Sequence, residues 1–256
     1  MPQKLLLFDL DGTLLTSDKT ITEHTLHSLN RCREKGYLTG VSTSRSEQNT
    51  YAFLKDLQPD ILITSGGALI RKGEEYLHKA LFSAEETRWM IEKARQICGE
   101  DCEITIDTPD THFWNYKADP KDTDKTWGDS VWTDYKDFRQ ESLKMCVEIF
   151  EKRKAKQLMQ ELPDCDAVRF SDGYWYKFTR KGVTKEDAIN RICSACGLSC
   201  EDITAFGDDY ADIGMLKIAG TGVAMGNAID AVKTAADIVI GSNDDDGIAW
   251  YLDSLE

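Results

Sequence analysis

The chain has 256 residues, 41% of them hydrophobic and 30% charged, enough for one large core or for a core domain with a smaller companion. Its 31 Lys and Arg against 45 Asp and Glu leave a formal charge of −14. Such a surface repels nucleic acid and anionic membranes at long range, and any phosphate site on it needs local compensation by a metal or by aimed donors. Eight scattered cysteines in a chain of this length, with no leader-like start, read as thiols rather than a disulfide framework. Cys193, Cys196 and Cys200 supply one CxxC without a second pair on a helix-like segment, which argues against a metal site. No apolar run is long enough to span a bilayer, and the expected location is the cytoplasm.

In chain order, Leu5-Leu6-Leu7-Phe8 is a continuous apolar run of the kind a strand covered on both faces requires. A helix is predicted over 22–35, stopped by Gly36, then a strand over 38–42 and a helix over 47–57 ending before Pro59. Ile61-Leu62-Ile63 is a third strand, followed by Ser65-Gly66-Gly67. The last third repeats this grammar: a helix near 184–196 capped by Thr184, a strand at Ile203-Thr204-Ala205-Phe206, a short helix, a strand around Val223, another helix and Ile238-Val239-Ile240. Alternating strands and helices predict an α/β fold with a doubly wound, mostly parallel sheet. The middle differs. It holds five of the six tryptophans, and strand-like pieces at 103–107, 113–116, 146–150, 168–170 and 175–178 mix with helices at 84–98 and 153–162. The expected organisation is a core from 1–81 and 180–256 with an α+β unit, 82–179, inserted in it.

Two acidic clusters follow predicted strands. In Asp9-Leu10-Asp11-Gly12-Thr13-Leu14 the two carboxylates are two positions apart, so an extended backbone points both toward one site at the carboxyl end of the sheet. Gly12 permits close backbone approach to a ligand. In Phe206-Gly207-Asp208-Asp209-Tyr210-Ala211-Asp212, Asp208 sits at the strand tip and Asp212, four residues on, shares a helix face with it. A polar strand-to-helix turn and a solvated acidic rim are the ordinary readings of such segments. Gathering Asp9, Asp11, Asp208 and Asp212 without a cation is costly, however, and a hard divalent ion such as Mg²⁺ removes that cost. Ser42-Thr43-Ser44-Arg45 offers hydroxyls and amide groups before a helix, either an anion site or a plain cap. Lys185 opens its helix against the macrodipole, a placement eased when the ammonium leans toward an anion, although in isolation such a lysine reads as solvated.

These four segments, in this order, resemble the four motifs of the haloacid dehalogenase (HAD) superfamily. The large insertion between the second and third motifs resembles the Cof-like sugar-phosphatase branch, as do Gly222-Val223-Ala224-Met225-Gly226-Asn227-Ala228 and Asn243-Asp244-Asp245-Asp246-Gly247-Ile248. The resemblance implies a Rossmann-like core with a cap and a Mg²⁺-dependent phosphatase of small phosphorylated metabolites, sugar phosphates foremost. It implies Asp9 as nucleophile through an aspartyl-phosphate and Asp11 as general acid and base. Thr43, Ser44, Lys185 and Gly12 become the phosphate-binding set. The metal falls to Asp9, the Asp11 carbonyl and Asp208, with Asp212 supporting that shell or the lysine. Arg45 matches the motif-two arginine, while Ser44 replaces the usual Gly, Ala211 the usual Asn and Glu186 the usual Gly, the last placing a negative charge near the mouth. A phosphohexomutase on the same core, or a catalytically weak metabolite-binding protein, are the alternatives. The expected partner is a small phosphorylated molecule, with no nucleic acid and no membrane, for a monomer or homodimer. Trp89, Phe113, Trp114, Tyr116, Trp127, Trp132, Trp175 and Tyr176 are candidates for a specificity pocket or for the core of the inserted unit, and the four histidines receive no role.

Overall fold

The computed structural model describes residues 4–117, 130–171 and 173–255. Leu5–Phe8 forms β1, with all four side chains fully buried, as its unbroken apolar run requires. Helix α1 (Glu23–Glu34), capped by the Thr22 hydroxyl, leads to β2 (Leu38–Ser42). The next helix, α2 (Glu47–Thr50), is a single turn capped by Ser46 rather than the helix predicted to 57. Asn49 and Thr50 are poor helix formers, and the chain continues as turns to Leu57. After β3 (Ile61–Thr64) comes a hairpin missed in the sequence, β4 (Leu69–Lys72) and β5 (Glu75–Lys79), turning at Gly73. Its strands lack clear apolar alternation because β5 is largely exposed.

The inserted unit contributes α3 (Ala84–Cys98), β6 (Ile104–Asp107), β7 (His112–Trp114), β8 (Val131–Trp132), β9 (Lys144–Glu148), α4 (Lys152–Glu161), β10 (Cys165–Arg169) and β11 (Trp175–Arg180). The chain then returns through α5 (Lys185–Cys196), β12 (Ile203–Gly207), α6 (Ile213–Ile218), β13 (Thr221–Ala224), α7 (Asp230–Ala235), β14 (Ile238–Val239) and α8 (Gly247–Asp253). The first sheet has the order β14-β13-β12-β1-β2-β3-β4-β5, parallel except for the hairpin. The chain moves from β1 to β2 and β3, and later resumes on the opposite side of β1 at β12. The order therefore reverses at β1, and the carboxyl ends of β1 and β12 open the crevice where such sheets bind ligands. No helix among the described residues is long and apolar enough to cross a membrane.

The second sheet runs β10-β11-β9-β6-β7-β8. Alternation divides its two faces. Ile104, Ile106, Met145, Val147, Tyr176 and Phe178 pack with Met90, Ile91 and Ala94 of α3 and Ala155 and Leu158 of α4 into a separate apolar core. The opposite face is polar and carries Thr105, Asp107, Lys144, Cys146, Lys177 and Thr179. A small cluster of Ala68, Leu69, Ala80, Leu143 and Val183 fills the junction between the two units.

Asp107 binds the units together. Its fully buried carboxylate accepts from the Ser65 hydroxyl of the first unit (2.8 Å), from His112 Nδ1 (2.7 Å) and from the Lys144 ammonium (2.9 Å). Lys144 also donates to the Ser44 carbonyl at 2.6 Å. Burial pushes Asp107 upward, but the Lys144 and His112 charges outweigh it and hold the carboxyl well below its usual range. Because the folded value is depressed, this stabilisation is present above the unfolded carboxyl pKa near 4 and is lost as pH falls below it. Asp107→Asn should therefore cost about 3–5 kcal/mol in urea unfolding at pH 7, by stranding the Lys144 charge. It should also make stability less steep between about pH 5 and 3 than in the wild type.

Candidate active site

Asp9 follows β1 directly, and its amide donates to the Phe206 carbonyl (2.9 Å), extending the β1–β12 pairing by one residue. Leu10 turns into the core, so Asp9 and Asp11 both reach the crevice, as their spacing implies. Gly12 has φ +75°, and an added Cβ would lie 2.4 Å from Asp208 Oδ2. Only glycine allows both the turn and this approach. Thr13 donates from its hydroxyl to Asp208 Oδ1 at 2.9 Å.

Oxygens of Asp9, Asp208 and Asp212 lie within 4.8 Å of one another. Lys185 sits among them with 2% of its surface exposed, donating to Asp9 Oδ1 and to Asp212 Oδ1 at 2.6 Å. Its position at the start of α5 is set by the Thr184 cap and by Gly67, whose α-carbon lies against the Thr184 carbonyl so closely that a Cβ would approach it to 2.3 Å. The lysine thus leans toward anions, which offsets its unfavourable place on the helix dipole, and is not the solvated side chain that its position alone suggested. Asp212 is not on a helix face shared with Asp208. Its Oδ2 accepts the amides of Asp208 and Asp209, both at 3.1 Å, and closes the turn between β12 and α6. With its other oxygen on Lys185, it supports the cluster from behind.

The Asp11 carboxylate stands apart from this cluster. Arg45 holds it from Nε (2.6 Å) and NH2 (2.7 Å), and Lys19 from Nζ (2.8 Å). The Asp11 side chain is thus not among the clustered carboxylate oxygens. Thr43 is buried and its Oγ1 accepts the Arg45 amide at 3.1 Å. Ser65 and Gly66 brace this loop by donating their amides to the carbonyls of Arg45 and Thr43. The tail segments serve the nucleophile loop: Asn227 donates to the Gly12 carbonyl and Asn243 to that of Leu15, while Asp244 accepts both the amide and hydroxyl of Ser17.

Among the substitutions noted in the sequence, Ala211 lines the cleft, whereas Glu186 packs against the α-carbon of Gly214 and does not. Its charge is turned toward α6, not placed at the mouth. Asp209 accepts the Ser171 amide of the inserted unit at 3.1 Å and the Tyr210 amide, and so ties the loop after β10 to the site.

The cleft measures about 620 Å³ and joins Asp9, Asp11, Gly12, Thr43, Ser44, Lys185, Asp208 and Asp212 to a wall from the inserted unit. Of the aromatic candidates, Trp114 and Trp175 line it, Phe113 and Tyr176 pack into the second core, Trp89 and Trp132 are exposed, and Trp127 lies outside the described residues. Lys19, Asn49, His112, Lys144, Phe170 and Ser171 also line the cleft and were not foreseen. Their segments carry no motif. The period of two in β6 and β9 was the available signal, since it puts Thr105, Asp107, Lys144 and Cys146 on one polar face.

Burial pushes the Asp9 carboxyl well above its usual range against the pull of Lys185, with Asp212 and Asp208 adding to the rise. Asp208 is pushed up to about 7 by burial and by Asp212. Burial would lower Lys185, but Asp212 and Asp9 prevail and raise it. One ammonium therefore does not neutralise three carboxylates in a buried site. The donor set, carboxylate oxygens of Asp9, Asp208 and Asp212 within 4.8 Å of one another, is all hard oxygen and fits a Mg²⁺-sized cation.

Residues 6–252 match the family described as haloacid dehalogenase-like hydrolase. Pyridoxal phosphate phosphatase YbhA of Escherichia coli is 30% identical, with 98% of both chains covered. 5-Amino-6-(5-phospho-D-ribitylamino)uracil phosphatase YitU of Bacillus subtilis is 26% identical over 97% of this chain and 96% of its own. Among solved structures, the HAD subclass IIB sugar phosphatase BT4131 superposes with a TM-score of 0.87 at 27% identity, covering 98% of each chain. A motif set converging on one buried site, a match spanning nearly the whole chain and a shared fold lead to the same place: this chain belongs to the haloacid dehalogenase-like hydrolases, among their Cof-like phosphatases.

Proposed function

We propose that this phosphatase uses Mg²⁺ to hydrolyse small phosphorylated metabolites through an aspartyl-phosphate formed on Asp9. The observation that carries the reading is the buried Lys185 ammonium held between Asp9 and Asp212, with Asp208 beside them. A Mg²⁺ held by Asp9, Asp208 and the Asp11 carbonyl supplies the remaining positive charge that nucleophile and phosphoryl oxygens need. The named relatives act on a ribitylaminouracil phosphate and on pyridoxal phosphate, and a structural neighbour is a sugar phosphatase. All three substrates are small phosphate monoesters, the class assigned to this chain.

Lys185 holds Asp9 Oδ1, and Oδ2 attacks phosphorus as the bond to the leaving oxygen breaks. Thr43, Ser44 and the amides of their loop receive the phosphoryl oxygens, and Gly12 keeps the opposite wall low. Asp11 gives its proton to the leaving oxygen. It then takes one from the water that attacks the phosphoenzyme, and the Asp9–phosphorus bond breaks to release phosphate. Before substrate arrives, Asp11 is not set up as an acid. Burial raises its pKa, but Arg45 and Lys19 more than reverse that and hold it ionised. The incoming phosphoryl charge shares those two cations and, being negative itself, raises Asp11 toward its acid form. Substrate binding thereby prepares its own proton donor.

Mg²⁺-dependent phosphate release from an aryl phosphate should fall by about a thousandfold or more in Asp9→Asn, and should vanish with chelator and return with added Mg²⁺. Full turnover by Asp9→Asn would remove the assigned nucleophile. Arg45→Gln should raise KM and move the basic limb of the kcat profile upward by about one pH unit, because Asp11 keeps its proton longer without the guanidinium. A limb that stays in place would mean that Arg45 does not govern the acid.

A further inference from the structure

The second sheet presents its polar face to the cleft in three rows, fixed by strand register. Thr179, Lys144, Asp107 and His112 form the first; Lys177, Cys146, Thr105 and Trp114 the second; Trp175, paired with Glu148, begins the third. Several of the polar groups on this wall are already engaged within the protein. Thr179 donates to the Val183 carbonyl. Lys144 is spent on Asp107 and the Ser44 carbonyl, and Asp107 on Ser65 and His112. Lys177 is 3% exposed, its side chain lies against Gly66 with the ammonium 3.5 Å from Ser44 Oγ, and it does not line the cleft. Trp114 Nε1 donates to Glu103 at 3.1 Å.

What the wall leaves open is aromatic surface. Trp114 and Trp175 are half-buried and meet edge to face with centroids 6.1 Å apart, an L-shaped corner, and half-buried Phe170 joins them from the loop after β10. The hydrogen bond to Glu103 fixes the orientation of the Trp114 ring. A leaving group bearing several hydroxyls would lose its water against this wall and find few partners to replace it. A flat apolar ring loses no hydrogen bonds there and gains stacking contacts.

We propose that the preferred substrate is a phosphate monoester whose alcohol carries a planar, largely apolar ring, and that Trp114 and Trp175 select it by stacking in this corner. The inference rests on the phosphatase reading and narrows its substrate class from phosphorylated metabolites at large to ring-bearing ones, away from the sugar phosphates anticipated in the sequence.

Benzyl phosphate and glucose 6-phosphate test it, since both are esters of primary alcohols and differ mainly in the shape and polarity of the leaving group. With Mg²⁺ present, kcat/KM should favour benzyl phosphate by about tenfold or more, and that preference should shrink by about tenfold in Trp114→Ala and Trp175→Ala while surviving in Trp114→Phe. A preference for glucose 6-phosphate, or a ratio indifferent to both indoles, would overturn the proposal. If neither ester is turned over, the phosphatase reading fails by itself. Calorimetric titration with benzylphosphonate then still decides the ring site: tighter binding to wild type than to Trp114→Ala upholds it, and equal binding ends it.

Discussion

Three carboxylates and one ammonium share a space less than 5 Å across at the carboxyl end of β1 and β12, and the rest of the molecule is arranged around that charge imbalance. Like charges so close in a buried site repel strongly. Asp208 is driven to about 7 by the burial and crowding that also lift Asp9. The fold bears this cost by fixing each member rigidly. Asp9 is tied to the β1–β12 ladder, Asp208 is bonded by Thr13, Asp212 is locked by two amides, and Lys185 is set by its Thr184 cap. The sheet order reverses at this point, so loops distant in sequence can meet there.

The inserted unit is joined to this site by charge and hydrogen bonding more than by apolar packing. Its own core lies on the far face of the second sheet, while the near face is held to the first unit through Asp107–Ser65, Lys144–Ser44 and Ser171–Asp209. Two of those three bonds end on loops that handle the phosphoryl group or the metal cluster in the proposed mechanism. The wall and the catalytic loops are thus joined through the same few residues. The cleft offers charged groups on fixed loops at one end and ring faces at the other.

Much of this was legible in the sequence where local chemistry and tertiary role agree. The apolar run before Asp9, the strand before Asp208 and the capped helix at Lys185 each announce themselves. For Lys185 the helix dipole alone left a solvated side chain the plainer reading, and its contacts with Asp9 and Asp212 come from the fold. The failures have a common cause, in that they depend on which neighbour a side chain meets. Nothing local to Asp11 foretells Arg45 and Lys19, and nothing local to Glu186 foretells that it lies against Gly214. His112 carried no ligand spacing, yet it is fixed by a carboxylate five residues back across a strand pair. The β4–β5 hairpin escaped notice because an exposed strand has no apolar face to alternate, and α2 was extended too far because a polar stretch before Pro59 resembled a helix stop.

The central claim is that Asp9 and Asp208 are mutually destabilising until a divalent cation joins them. Thermal unfolding of wild type and Asp208→Asn, each with and without Mg²⁺, tests it most directly, because the Asn side-chain oxygen can still accept the Thr13 hydroxyl while removing one charge. The account predicts that Mg²⁺ raises the wild-type Tm by several degrees. It predicts as well that Asp208→Asn is the more stable protein without metal and barely responds when metal is added. Equal responses to Mg²⁺ in the two proteins, or a variant less stable than wild type in its absence, would contradict it.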